Sequence, residues 1–275
     1  MVDSLFTDNP AAEGLRTAYY DTGTSGYPLV LVHGFTGSRL DFLDQLDWFE
    51  DIARVVALDQ RGHGESSNAP PYSLDGLVDE LMGFLNAIDV HRCTLLGHSM
   101  GGMVAMRAVL QHPDWFTSLI LMDSTPSPIQ LFPSDAIRRS VLATIEQGGC
   151  EALLGNMRGQ PRSAAQQLGV DFLGEHEHWR RIRTKLTQMD PRAFADLSEE
   201  MSLQDVSTAL PEIDCPTTII VGEHDQPFRE PARIMTNLIP KANLQVIEGA
   251  AHSPQYENAE AWKAAVRGHL LANGP

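Results

Sequence analysis

Short apolar runs recur along the chain, each ending at a glycine or a polar residue. Leu29-Val30-Leu31-Val32 precedes His33-Gly34, Val55-Val56-Ala57-Leu58 precedes Asp59, and Cys93-Thr94-Leu95-Leu96 precedes Gly97. Leu119-Ile120-Leu121-Met122 precedes Asp123, Thr218-Ile219-Ile220-Val221 precedes Gly222, and Leu244-Gln245-Val246-Ile247 precedes Glu248. Runs this short, apolar at successive positions, read as strands buried on both faces. Between them Leu40 to Phe49, Leu74 to Ile88, Gly102 to Gln111 and Pro231 to Leu238 have helical character. Strands alternating with helices predict an open parallel sheet with right-handed crossovers and helices on both sides.

One interval breaks the alternation. From Pro126 to Pro211 no convincing strand occurs, only helix-like segments such as Asp135 to Glu146, Ala164 to Phe172 and His178 to Met189. The expected organisation is therefore an α/β core of residues 1–125 and 212–275 with a helical cap, or lid, inserted as residues 126–211. Ligands of such sheets bind at the carboxyl ends of the strands, so the polar, glycine-rich segments there carry the candidate chemistry.

Composition narrows the partners. The 275 residues are 43% hydrophobic, with 36 acidic against 20 basic side chains and a net charge of −16. Such a charge repels nucleic acid and anionic membrane surfaces, which need clustered Lys and Arg. No apolar run is long enough to span a bilayer, and Met1 to Pro10 is polar and acidic, unlike a signal peptide. The expected location is cytoplasmic. Cys93, Cys150 and Cys215 are odd in number, widely spaced and without a CxxC pair, as for small hydrophobes in a reducing compartment. No phosphate-cradling loop with a following Lys-Ser or Lys-Thr is present. Glu175-His176-Glu177-His178 places its histidines two apart, on different helix faces, and reads as a solvated patch and not a metal site. No cofactor and no metal are expected; monomer and dimer both fit.

Gly97-His98-Ser99-Met100-Gly101, followed by Gly102, fits G-x-S-x-G at a strand-to-helix junction, where a sharp turn exposes a strained serine. A serine hydroxyl needs an adjacent base, and the base needs a third group to hold its tautomer. His252, in Gly249-Ala250-Ala251-His252-Ser253-Pro254 after the last strand, is the candidate base. His98 lies next to the serine and is expected to point away from it; His91, His112, His176, His178 and His269 fall in helical or surface-like stretches. For the acid, Asp225 in Gly222-Glu223-His224-Asp225 is preferred, with Asp123 in Met122-Asp123-Ser124 the competitor on the same face. A tetrahedral intermediate needs two donors for its oxyanion, expected from the backbone N–H groups of Phe35 and Met100. His33 is expected to hydrogen-bond within its own loop.

Together His33-Gly34-Phe35, Asp59-Gln60-Arg61-Gly62-His63-Gly64-Glu65-Ser66, Gly97-His98-Ser99-Met100-Gly101-Gly102, Gly222-Glu223-His224-Asp225 and Gly249-Ala250-Ala251-His252 resemble the α/β-hydrolase superfamily. The resemblance implies an eight-stranded, mostly parallel sheet with Ser99, Asp225 and His252 as the triad, and makes Arg61-Gly62-His63-Gly64 a structural turn beneath the site. The serine argues against the dehalogenase and epoxide hydrolase branches, which carry aspartate at the elbow. The expected activity is hydrolysis of a carboxylic ester or lactone of a small, largely apolar substrate through an acyl-enzyme. Carbon–carbon bond hydrolases of meta-cleavage products are similar in length, cap and Ser-Met-Gly-Gly, but usually carry Trp after the histidine, where Ser253 stands here. A non-catalytic ligand-binding role is the third alternative.

The cap interval holds eleven acidic and nine basic residues, including Arg138-Arg139 and Arg180-Arg181-Ile182-Arg183. Two readings arise: surface salt bridging with Glu175, Glu177 and Glu199, or an inward arginine binding a substrate carboxylate. Leu131, Phe132, Leu142, Phe172, Leu173, Trp179 and Leu186 are expected to split between packing on the sheet and lining an acyl pocket.

Overall fold

A computed structural model describes residues 3–10, 14–162 and 164–274 of the chain. Among the described residues eight strands form one sheet: β1 (Leu5–Asp8), β2 (Arg16–Asp21), β3 (Tyr27–Val32), β4 (Ala53–Leu58), β5 (Cys93–His98), β6 (Phe116–Met122), β7 (Thr217–Gly222) and β8 (Ala242–Ile247). Their spatial order is β1-β2-β4-β3-β5-β6-β7-β8. β1–β2 and β2–β4 pair antiparallel and all later pairs are parallel, as the apolar runs predict for the centre of the sheet.

Alternation within each central strand divides the core. Val30 and Val32 face one side, with α1 (Leu74–Ala87) and α2 (Met100–Gln111); Leu29 and Leu31 face the other, with the 3₁₀ segment Arg39–Phe49 and α9 (Ala259–Asn273), whose Trp262 is fully buried. β1 and β2, which are short and partly exposed, and α9 with the four-residue α8 (Pro254–Glu257) before it, add to the elements that the apolar pattern predicts.

Between β6 and β7 the chain forms α3 (Asp135–Arg158), α4 (Ala164–Leu173), α5 (Glu175–Thr187) and α6 (Pro191–Leu203), then a 3₁₀ turn Ser207–Glu212. α3 is kinked at Gly149, which adopts φ 67°. α6 was not foreseen, although Asp190 caps it through Arg192 N–H and Pro191 occupies its first turn. α7 (Gln226–Leu238) crosses from β7 to β8. Among the described residues no helix is long and apolar enough to cross a membrane.

The resemblance-based turn Arg61-Gly62-His63-Gly64 follows β4 and is held from both sides. Asp59 accepts from the N–H groups of Arg39 (2.6 Å) and Glu65 (2.8 Å) and pairs with the Arg39 guanidinium, while Gly62 O accepts from Asp190 N–H at 2.9 Å. The turn thus ties the helical segment to the sheet.

The start of α2 packs directly on the end of β3. A Cβ on Gly101 would lie 2.3 Å from Val32 O and 2.5 Å from His33 O, both backbone atoms that cannot turn aside. Gly101→Ala is therefore expected to lower stability by about 1–3 kcal/mol, as overpacking does. Urea denaturation checks this; an unchanged midpoint would show that β3 and α2 part without cost.

Candidate active site

Ser99 sits at the β5–α2 junction with φ 55°, ψ −117°, a region that L residues avoid. The surroundings hold it there: Ser99 N–H donates to Met122 O (2.8 Å), and Ser99 O accepts from Gly102 N–H (2.9 Å) and Ser124 Oγ (2.8 Å). The loop after β3 runs against it, and a Cβ on Gly34 would lie 2.9 Å from Ser99 Cβ. Only glycine permits that approach.

The same loop carries Phe35. Neither Phe35 N–H nor Met100 N–H donates to an acceptor among the described residues, leaving both for a ligand oxygen. His33 braces the loop from below: its Nδ1–H donates to Gly34 O at 2.8 Å and its Nε2 accepts from Gln60 N–H at 3.0 Å. Burial, then neighbouring His63, lowers the His33 pKa to about 3, so it stays neutral and keeps this tautomer.

His252 Nδ1 and Asp225 Oδ2 are 2.7 Å apart, and the imidazole lies stacked on Phe228 with ring centroids 4.8 Å apart. Asp225 is 5% exposed, whereas the His252 side chain is 35% exposed and open toward solvent. Among the described residues the Ser99 hydroxyl makes no hydrogen bond, so the structure joins His252 to Asp225 but does not close the Ser99–His252 contact. Such contacts commonly tighten only around a ligand.

Asp123 shares this neighbourhood. Donor atoms of Asp123, Asp225 and His252 all lie within 4.8 Å of one another, the one such His/Cys/Asp/Glu group among the described residues. Its contents favour acid–base work: one nitrogen of the imidazole is already committed to Asp225. Asp123 does not bond His252; its Oδ1 accepts from Gly222 N–H at 2.9 Å.

Two side chains given no role by the motifs grip the backbone at and beside His252. His98 Nε2 donates to His252 O at 2.8 Å, and burial, then His252, lowers the His98 pKa to about 3, which keeps it a neutral donor. Glu257 accepts from Ala251 N–H (2.6 Å) and Ser253 N–H (3.1 Å), on either side of His252. No motif announces Glu257; only its place on the short α8 brings it under the loop.

A cavity of about 350 Å³ lies beyond Phe35, lined by Phe132, Leu153, Met157, Ile182, Leu186 and Phe194 among others, with Thr36, Gln166 and Lys185 as its polar members. Phe194 also packs on Phe35, ring centroids 4.9 Å apart. Of the expected lining residues Phe132 and Leu186 face this cavity, Trp179 is buried, and Phe172 is instead 52% exposed. His178 is likewise buried, not solvated, because it packs over Gly169 and edge-on to Trp179.

Arginines of the segment pair with acids. Arg138 pairs with Glu199 (2.9 Å), Arg180 with Glu177 (2.6 Å), Arg181 with Asp44 (2.7 Å) and Arg183 with Glu151 (2.7 Å). The cation at the cavity is Lys185, bonded to buried Asp41 at 2.8 Å. Among the described residues no arginine lines the cavity, and the pairs with Glu199, Glu175 and Glu177 match the salt-bridge reading.

Comparison with known proteins gives a match to the family described as "Alpha/beta hydrolase family" over residues 29–265. The chain is 28% identical over 256 residues to a putative 2-succinyl-6-hydroxy-2,4-cyclohexadiene-1-carboxylate synthase of Bacillus subtilis, covering 90% of this chain and 91% of that one. It is 28% identical to a non-heme chloroperoxidase of Kitasatospora aureofaciens, covering 87% and 90%. A malate-bound thermophilic esterase from Thermogutta terrifontis superposes with a TM-score of 0.83 at 29% identity, covering 99% and 100%.

The Glu257 grip is directly measurable. Glu257→Ala is expected to speed amide exchange at Ala251 and Ser253 by about tenfold or more, the loss of one or two hydrogen bonds to a charge. Glu257→Gln, which keeps the accepting oxygen, retains most of the protection. Hydrogen exchange that is unchanged in Glu257→Ala would show that the loop holds itself.

Proposed function

The chain belongs to the alpha/beta hydrolase family, and within it we propose a serine hydrolase that cleaves a carboxylic ester or lactone of a small, largely apolar substrate. The observation that carries this reading is the strained Ser99 elbow beside two uncommitted N–H groups, with His252 already held by Asp225. The 29% identical esterase structure supports the ester preference over other chemistries of the family.

In this mechanism His252 Nε2 takes the proton of Ser99 Oγ as the hydroxyl attacks the substrate carbonyl. Asp225 keeps Nε2 available as the acceptor and stabilises the imidazolium. The N–H groups of Phe35 and Met100 receive the oxyanion. His252 then returns the proton to the leaving alcohol, and finally removes one from the water that attacks the acyl-enzyme. Helices α3 to α6, within residues 126–211, act as the cap, and the cavity behind Phe35 receives the apolar part of the substrate. The free thiols suit a reducing compartment such as the cytoplasm.

A panel of short p-nitrophenyl esters, lactones and ring-cleavage dienone acids tests the reading. Wild type is expected to turn over esters or lactones and to be labelled by a fluorophosphonate, with Ser99→Ala losing the label and at least about 10³-fold in rate. Turnover of the dienone acid alone would favour carbon–carbon cleavage, and no turnover or labelling would remove the enzyme reading. Asp225→Asn is expected to lose about 10⁴-fold in kcat, the effect of presenting the wrong tautomer. Full activity in that variant would shift the acid role away from Asp225.

A further inference from the structure

Asp123 is 1% exposed and takes φ 45° at the end of β6, a backbone cost that points its carboxyl into the site. Its Oδ1 has one donor, Gly222 N–H at 2.9 Å. Its Oδ2 is buried and meets no N–H or O–H donor among the described residues. Among the described residues the charged groups acting on it are Asp225, ahead of α7, and Glu257 on α8, both acidic; His252, within 4.8 Å, gives Nδ1–H to Asp225.

Two adjacent carboxylates out of water do not both stay ionised. Asp225 holds the stronger claim to the negative charge, because it accepts from His252 Nδ1 at 2.7 Å. The proton then belongs on Asp123, and the orphaned Oδ2 is where it fits. Resting on the reading of Ser99, Asp225 and His252 above, we propose that Asp123 is a neutral carboxylic acid donating its O–H to Asp225, a positioning residue that makes the triad acid a proton-sharing carboxyl pair with one charge.

Burial, reinforced by Asp225, pushes the Asp123 carboxyl well above the usual carboxylate range, in keeping with this arrangement. The pair has two effects. The donated O–H fixes the Asp225 carboxylate in the plane that His252 needs, and it draws charge away from His252, restraining the basicity of the imidazole. No proton leaves Asp123 during turnover; His252 alone shuttles.

Infrared difference spectra of wild type against Asp123→Asn at pH 8 test the protonation without any substrate. A carboxylic-acid C=O band in wild type that vanishes in the variant supports the proposal; no such band overturns it, whether or not the protein hydrolyses esters. Kinetics test the role. Asp123→Leu, which cannot donate, is expected to lose at least tenfold in kcat with KM unchanged and to move the acid limb of kcat/KM to higher pH. Asp123→Asn, a neutral donor of the same shape, recovers most of that loss and restores the acid limb. An acid limb displaced to lower pH in Asp123→Asn would mean that a negative charge had been removed, and would overturn the proposal. Should Asp123→Leu fail to fold, the infrared band and the Asn profile decide the matter alone.

Discussion

Crowding of backbone around Ser99 is the constraint from which the site follows. A hydrolytic serine must stand clear of the sheet while two N–H groups and a base converge on the same small volume, and backbones must therefore touch without side chains between them. At Gly34 and Gly101 this is literal: a Cβ would meet Ser99 Cβ at 2.9 Å and Val32 O at 2.3 Å. The parallel strands β3, β5 and β6 supply the frame, since Ser99 N–H is tied to Met122 O across the sheet. The strain at Ser99, of order 1–3 kcal/mol, is sustained because four hydrogen bonds fix the residue's N–H and C=O.

Around that turn, buried neutral histidines serve as polar pegs. His33 ties the β3 loop to the β4 loop, and His98 ties the elbow to the His252 loop. Burial holds both near pKa 3, so neither competes with His252 for a proton at neutral pH. Carboxyl groups complete the ring: Glu257 grips the His252 loop, Asp225 its imidazole, and Asp123 backs Asp225. The excess of acidic side chains over basic ones, a bulk property of the sequence, thus has a local counterpart around His252.

Much of this was legible in the chain. Parallel central strands announce themselves because both faces are buried, so β3 to β7 read as unbroken apolar runs. β1 and β2 do not, since their residues are partly exposed. α9 carried a signal that went unread: Trp262, Val266, His269 and Leu270 recur at helical spacing and are all buried. Ser99, Asp225 and His252 are picked out as candidates by glycine-rich loops after strands, where spacing constrains the chemistry. Glu257 and the donor role of His98 were not, because each acts on a backbone atom of another loop, a contact that only folding creates. The exposure of Phe172 and burial of His178 were inverted for the same reason: helical phase within the segment depends on which faces meet, α4 against α5 and α8, and α5 against α3 and α4.

The cavity behind Phe35 sets the scale of what the site would accept, a chiefly apolar body with few polar contacts, and the cation among its described lining residues, Lys185, is already neutralised by Asp41. Specificity on this reading comes from shape and not from charge. All of it depends on Ser99 forming a covalent bond. Rapid acid quench of the enzyme with a slowly deacylating ester, followed by mass spectrometry of the peptide containing Ser99, tests that bond. The predicted result is an added acyl mass on Ser99 within the first turnover; turnover with no adduct, or an adduct on another residue, would contradict it.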